Sequence, residues 1–222
     1  MHLEARPGRA ASASLQPGTS TVDLTNGGQG VLVVPNGEIA GLIVALHGAG
    51  GRPAATVSLF RDFVEKYGVV VLAPASRSTT WAMLRPGADV DTPAIDAALG
   101  TIFRGHSFDP GTIAVGGFSD GASYALTLGL ANGDLFSRVV AFSPGFEAAP
   151  RRQGRPAFFV THGIHDRVLS ISRTSRRIVP TLRQAGYDVT YHEFEGGHEV
   201  PRRYTGEAAR WVLRQSEKPP RR

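Results

Sequence analysis

Cysteine is absent from all 222 residues of this chain. That absence excludes disulfide bonds, thiolate metal sites and a cysteine nucleophile. No segment has the roughly 18 consecutive apolar residues of a membrane-spanning helix. No basic run exceeds two residues, so the net charge of +5 does not indicate a dedicated nucleic-acid-binding module. Residues 1–20 lack the apolar stretch of a secretory signal, and we expect a cytoplasmic protein.

The composition is that of one globular domain. Hydrophobic residues make up 41% of the chain and charged residues 19%, which is ordinary for a chain that buries a single core. We predict a disordered lead-in over 1–20, one domain over 21–216 and a flexible tail over 217–222.

Apolar segments alternate along the chain with segments of helical periodicity. Strands are predicted over 41–48, 69–76, 112–118, 138–145, 156–163 and 188–197. One of the helices between them is predicted over 53–68, and the early stretch GVLVVPNGEIAG reads as an edge strand and a turn. This alternation predicts an α/β fold with a mostly parallel, twisted sheet and helices on both faces. Ligands bind such sheets at the carboxyl ends of the strands.

A serine stands between glycines where the strand TIAVGGF ends. In GGFSDGASYA, Gly117 and Gly121 leave room for a tight turn from strand to helix, with Ser119 at its tip. The first N–H groups of the following helix have no partner within the helix and can stabilise a developing negative charge. The motif therefore indicates a nucleophile, although a glycine-rich start of a helix has the same pattern.

A second glycine-rich turn, LHGAGG, follows the strand over 41–48. Its open backbone N–H groups are of the kind that completes an oxyanion hole, and we assign the two donors to the backbone of Ala49 and Asp120. His47 is expected to fix this loop by a side-chain hydrogen bond. The phosphate-binding alternative is weak because the Walker and dinucleotide patterns are missing.

Two further polar residues follow strand ends, Asp166 in HGIHDRVL and His198 in EGGHEV. Ser119, Asp166 and His198 therefore meet at one edge of a parallel sheet. There His198 can accept the proton of Ser119 while Asp166 fixes the imidazole tautomer. Glu195 is the alternative acid, and Asp188 is disfavoured because it precedes its strand.

Other candidates surround this group. His162 and His165 could suggest a metal site, but a third ligand at suitable spacing is missing, so no metal is expected. Three residues are candidates for the substrate pocket, although the first two could equally cover the core: Trp81, Met83 and Leu169. Seven arginines follow predicted strand ends and form either a rim that attracts anionic substrates or an ordinary solvated surface: Arg77, Arg85, Arg151, Arg152, Arg167, Arg202 and Arg203.

The motifs LHGAGG, GGFSDGA, HGIHDRVL and GGHEV resemble the phospholipase/carboxylesterase family of small α/β-hydrolases, with likeness to its feruloyl-esterase and polyhydroxybutyrate-depolymerase relatives. The resemblance covers about residues 40–214. It implies an α/β-hydrolase fold and a cofactor-free serine hydrolase that cleaves small to medium carboxylic esters through an acyl-enzyme, with lysophospholipase-like activity in its range. It also implies the triad Ser119, Asp166 and His198 and backbone donors at Ala49 and Asp120.

This chain departs from the family in two places. The family often has a bulky residue and an aspartate in the first loop, where Ala49 and Gly51 stand, and a glutamine where Asp120 stands. A peptidase or thioesterase of the same fold, or a non-catalytic binding protein on this scaffold, is the alternative function. The short connection between AFSPG and PAFFV predicts that no cap domain covers the site. The sequence leaves the oligomeric state open.

Overall fold

The computed structural model describes residues 1–8, 14–82 and 89–214, and within them eight strands form one sheet. The strands are β1 (Gly18–Asp23), β2 (Gln29–Val34), β3 (Gly41–Leu46), β4 (Val69–Ala73), β5 (Ile113–Phe118), β6 (Arg138–Phe142), β7 (Ala157–Gly163) and β8 (Val189–Phe194). Their order in the sheet is β1-β2-β4-β3-β5-β6-β7-β8. β1 and β2 pair antiparallel, β2 joins β4 antiparallel, and the six strands from β3 to β8 are parallel.

Helices cover both faces of this sheet. They are α1 (Pro53–Leu59), α2 (Arg61–Tyr67), α3 (Asp91–Gly105), α4 (Asp120–Ala131), α5 (Ser175–Gln184) and α6 (Arg202–Val212). Side chains alternate along a strand, so Leu42 and Val44 of β3 pack with α3, α4 and α5. Ile43 and Ala45 pack in the second cluster, with the residues of α2 and α6. The predicted fold class is confirmed.

The parallel register aligns the ends of β3 to β8. Leu46 pairs with Gly117, Phe118 with Phe142, and Gly163 with Phe194. We call this side of the sheet the carboxyl edge and the opposite side the amino edge. The loops that carry the predicted functional residues leave from the carboxyl edge.

Three predictions about the first 68 residues are wrong. The stretch predicted as an edge strand contains β2, which lies between β1 and β4. The helix predicted over 53–68 is divided into α1 and α2 at Phe60, whose φ of −93° and ψ of 13° depart from helical geometry. The predicted lead-in is ordered where it is described: Leu3 is fully buried, and its N–H donates to Asn132 Oδ1 at 2.8 Å. β1 escaped prediction because its side chains are almost all exposed and carry no apolar pattern. Residues 9–13 of the lead-in and the predicted tail 217–222 lie outside the described residues.

The connection between β6 and β7 contains no helix and no cap domain over residues 143–156, all of which are described. It returns to the amino edge, where Gln153 N–H donates to Leu130 O and Gly154 bridges to Gly133 at the end of α4. Arg151 and Arg152 therefore lie on the amino edge, away from the predicted site. This overturns the seven-arginine rim, since that prediction took the whole connection to stay at the carboxyl edge.

None of the helices within residues 1–8, 14–82 and 89–214 combines the length and the apolar character that crossing a membrane requires.

Candidate active site

Ser119 occupies the turn between β5 and α4 in a conformation that few non-glycine residues adopt. Its φ is 58° and its ψ is −121°, a region that costs on the order of 1–3 kcal/mol for a residue with a Cβ. Neighbouring glycines make the turn possible, because a Cβ on Gly117 would collide with the backbone of Gly121, and a Cβ on Gly121 with the carbonyl of Leu46. The Ser119 N–H donates to Phe142 O at 2.9 Å, which holds the turn against β6.

Three polar side chains converge at this turn in a continuous hydrogen-bonded chain. The Ser119 hydroxyl lies 2.8 Å from His198 Nε2, and His198 Nδ1 lies 2.6 Å from Asp166 Oδ2. A carboxylate only accepts, so the proton is assigned to Nδ1, and the lone pair of Nε2 faces the serine hydroxyl. The Phe118 ring packs 4.7 Å from the imidazole, centroid to centroid. The arrangement can draw a proton from Ser119 while His198 stays oriented.

The carboxyl group of Asp166 is buried, and both of its oxygens accept hydrogen bonds. Besides His198, it accepts the N–H groups of Val168 and Leu169, both at 2.8 Å from Oδ1. Burial alone would raise its pKa, but the hydrogen bond from His198 and those from the two backbone groups outweigh burial, and the net pKa lies below the usual range. The group is therefore a carboxylate at neutral pH, as an orienting acid must be.

The LHGAGG turn lies beside Ser119 and is fixed by its neighbours. The Gly50 N–H donates to Thr79 O at 2.6 Å, and the Gly51 N–H donates to Gly48 O at 2.9 Å. Within residues 1–8, 14–82 and 89–214, no acceptor faces the N–H of Ala49 or of Asp120. Asp120 is the first residue of α4, so its N–H belongs to the unpaired end of that helix.

His47 is buried and holds this turn to the loop after β4. Its Nδ1–H donates to Gly48 O at 2.8 Å, and its Nε2 accepts the N–H of Ser76 at 3.1 Å. Burial, the largest influence, lowers the pKa of His47. The ring therefore stays neutral, with one nitrogen that donates and one that accepts. The geometry is that of the loop-fixing residue expected from the sequence.

Thr80, which the sequence reasoning missed, connects the same loop to the nucleophile turn. Its hydroxyl donates to Asp120 Oδ2 at 2.7 Å. The sequence analysis assigned a role only to the backbone of Asp120, and no local pattern relates positions 40 residues apart. Thr79 O and Thr80 Oγ1 together tie both turns that carry the assigned N–H donors to one loop.

The three pocket candidates have different surroundings. Trp81 has no exposed surface: its ring stacks on Tyr124 at 4.9 Å, and its indole N–H donates to His47 O at 2.9 Å. It therefore belongs to the core and not to an open pocket. Met83, like Arg85 of the predicted rim, lies outside the described residues. Leu169 is partly exposed, and its N–H donates to Asp166 Oδ1 at 2.8 Å.

The remaining acids and histidines have other partners. Glu195, the alternative acid, is 79% exposed and pairs with His165 at 2.9 Å, while Asp188 lies at the amino edge beside Phe158. His162 is buried against Ser175, Leu169 and Asp166. Among the described residues, no three side chains of the metal-binding types are grouped as a metal site would require.

Similarity to a known family supports the interpretation of this geometry. The family model for Phospholipase/Carboxylesterase matches residues 95–212, more than half of the chain and all of the segment that carries Ser119, Asp166 and His198. The chain belongs to this family. It is thus a hydrolase of an esterase family, and the resemblance drawn from its motifs is confirmed.

Several solved structures of esterases have a fold similar to that of this chain. Esterase PE8 has a TM-score of 0.66 at 21% identity, over 89% of this chain and 98% of its own. The Bacillus cereus carboxylesterase has a TM-score of 0.64 at 20% identity, over 83% and 93%. FphF, a fluorophosphonate-binding serine hydrolase of Staphylococcus aureus, has a TM-score of 0.71 at 12% identity, over 90% and 100%. These identities establish the fold alone. Among curated proteins, none matches the sequence.

Proposed function

We propose that this member of the phospholipase/carboxylesterase family is a serine hydrolase that cleaves small to medium carboxylic esters without a cofactor. The single observation that carries the proposal is the hydrogen-bonded chain from Ser119 Oγ through His198 to Asp166, with both distances below 3 Å. Each member sits at the carboxyl edge, where ligands approach an α/β sheet.

The reaction follows from this chain. Ser119 Oγ attacks the ester carbonyl while His198 Nε2 takes its proton, and the N–H groups of Ala49 and Asp120 receive the developing oxyanion. His198 then returns the proton to the leaving alcohol, which departs and leaves an acyl-enzyme. Water attacks the acyl group, its proton passes through His198 to Ser119 Oγ, and the carboxylic acid is released. Asp166 stays ionised and stabilises the imidazolium in both steps.

An apolar surface beside the triad favours an apolar acyl group. The Leu169 side chain lies where a Cβ on Gly145 would touch it, and the Gly145 N–H donates to Ser123 Oγ, one turn along α4 from Ser119. Phe146 and Val168 adjoin these residues and are 38% and 69% exposed. They are two of the three exposed large hydrophobic side chains among the described residues. We call Phe146, Val168 and Leu169 the apolar shelf.

The function is tested with p-nitrophenyl esters in solution. With no cap domain in the β6–β7 connection, we expect hydrolysis of short esters below their critical micelle concentration, and a rate that rises only above it would contradict an open site. A thioester and a peptide anilide serve as competing substrates, and a higher kcat/KM for either would favour the thioesterase or peptidase alternative. The cytoplasmic location predicted from the sequence remains a prediction.

The apolar shelf gives the first mutational prediction. Burial of one methylene is worth about 0.8 kcal/mol, so contact with a partly exposed surface should raise kcat/KM about twofold per methylene from the acetate to the hexanoate ester. Leu169→Ala should lower kcat/KM for the hexanoate about fivefold and leave the acetate within twofold. Leu32→Ala, at a partly buried leucine of β2, near the opposite end of the strand order from β7, is the control and should leave the chain-length profile unchanged. If Leu169→Ala lowers kcat/KM equally for both esters, the apolar shelf does not bind the acyl chain.

Thr80 gives a second prediction. Thr80→Val removes the hydroxyl that holds Asp120, so we expect kcat for p-nitrophenyl acetate to fall about 3- to 10-fold with little change in KM, as for one lost hydrogen bond to a charged group. Thr80→Ser should retain most activity. Thr79→Val is the matched control, because Thr79 supports the turn through its carbonyl only; a similar loss in that variant would indicate disturbance of the whole loop.

A further inference from the structure

A second histidine lies behind the triad acid. His162, next to last in β7, has no exposed surface. Its Nε2 lies 2.8 Å from Leu169 O and 3.1 Å from Asp166 Oδ2, the same oxygen that His198 contacts from the other side. Its Nδ1 lies 2.7 Å from the buried hydroxyl of Ser175 at the start of α5.

These contacts determine where the His162 proton resides. Leu169 O can only accept, so Nε2 carries the hydrogen, and Nδ1 accepts from the Ser175 hydroxyl. Burial, the largest influence, lowers the pKa of His162, although the contacts with Leu169 and Asp166 act in the opposite direction. His162 is therefore a neutral donor whose single ring hydrogen points between a carbonyl and the triad carboxylate.

His162 thereby holds both ends of the turn over 166–169. Its Nε2–H contacts the Asp166 side chain at one end and the Leu169 carbonyl at the other. The same turn donates the N–H groups of Val168 and Leu169 to Asp166 Oδ1. Three of these contacts reach the Asp166 carboxylate and restrain its rotation, and of the three only the one from His162 comes from outside the turn.

We propose that His162 is a positioning residue of the ester hydrolase, whose neutral Nε2–H fixes Asp166 in the orientation that His198 requires. The inference rests on the proposed function. A donor without charge suits the place, because a cation there would repel the imidazolium that forms on His198 during the reaction. The charged neighbour opposite His162 in the register of β8 is Glu193, and it is neutralised by Arg176 at 2.7 Å.

The test compares variants with and without the donor. His162→Leu and His162→Phe remove the N–H, His162→Gln retains one, and His165→Gln is the matched control at the exposed histidine of the same motif. The readout is kcat for p-nitrophenyl acetate per active site, counted by complete fluorophosphonate labelling, so that loss of folded protein does not enter. We expect a 10- to 100-fold fall in both donor-free variants with KM within twofold, as for a lost hydrogen bond to a charged group. We expect at least partial recovery in His162→Gln and no change in His165→Gln.

A double mutant separates positioning from general structure. If His162 acts through the acid, His162→Leu should cause no further loss in an Asp166→Asn background. An equal additional loss there, or wild-type kcat per site in a folded donor-free variant, would overturn the inference. The nitrogen-15 spectrum of the wild-type imidazoles adds a measurement that needs no variant: His162 should show the neutral Nε2–H form at pH 7, and an Nδ1–H or charged form contradicts the proposal. If Asp166→Asn itself retains full activity, the proposed function fails instead.

Discussion

Ser119→Ala is expected to abolish labelling by a fluorophosphonate and to lower kcat for p-nitrophenyl acetate by about 10⁴- to 10⁶-fold. Ser119 supplies the hydroxyl at this turn that can form the acyl-enzyme, and within the described residues it is the hydrogen-bond partner of His198 Nε2, at 2.8 Å. The Cβ remains in alanine, so the backbone strain at a φ of 58° is unchanged and the melting temperature should stay within a few degrees.

Ser58→Ala is the control for this result, since Ser58 is an exposed serine on α1. The Ser58→Ala variant should be labelled by the fluorophosphonate, and its kcat for p-nitrophenyl acetate should equal that of the wild type. Labelling that survives Ser119→Ala would assign the nucleophile elsewhere. Absence of labelling and of turnover in the wild type would favour a binding protein on a hydrolase scaffold.

Asp166→Asn is expected to lower kcat by about 10³- to 10⁴-fold while the protein remains folded. The two backbone N–H groups at Oδ1 require an oxygen in that position. The asparagine NH₂ must then replace Oδ2, 2.6 Å from His198 Nδ1, where it meets a hydrogen instead of supplying an acceptor. His198 would have to adopt the other tautomer, and its Nε2 could no longer accept the proton of Ser119.

Glu195→Gln tests the alternative acid in parallel. Glu195 is 79% exposed and contacts His165, so we expect kcat within twofold of the wild type. The reverse pattern, a severe loss in Glu195→Gln and a mild one in Asp166→Asn, would move the acid to the loop after β8. Circular dichroism and urea unfolding of both variants would exclude loss of the fold as the cause.

The alternation of apolar and amphipathic segments was sufficient to predict the parallel sheet, because strands buried on both faces have continuous apolar sequences. The same alternation predicted that Ser119, Asp166 and His198 lie at one edge of the sheet, since each follows the end of a predicted strand. This inference needs only the direction of the strands. It fails for Arg151 and Arg152, because the connection from β6 to the parallel β7 has to return to the amino edge, and without a helix its sequence does not show where it crosses.

Contacts between side chains from distant segments were beyond prediction. Leu3 lies in a short segment without strand or helix periodicity, and its burial depends on packing into the core cluster that contains α3 and α4 and on the hydrogen bond of its N–H to Asn132. The hydrogen bond from Thr80 to Asp120 and the contact of His162 with Asp166 depend on rotamers and on the exact course of loops. Trp81 is ambiguous in the sequence for the same reason, since an aromatic residue after a strand can face either the core or a ligand.

The order of strands in the sheet also determines when activity can arise during synthesis. From β5 onward each new strand adds beside the one before it, and β8 comes last. A nascent chain can thus form the turn at Ser119 early, but it lacks the base until β8 has docked and carried His198 into place. On the proposed function, Ser119 therefore stays without its base until β8 has paired with β7. The return of ester hydrolysis on refolding would accordingly report the docking of β8 on β7, and not the formation of the turn at Ser119 alone.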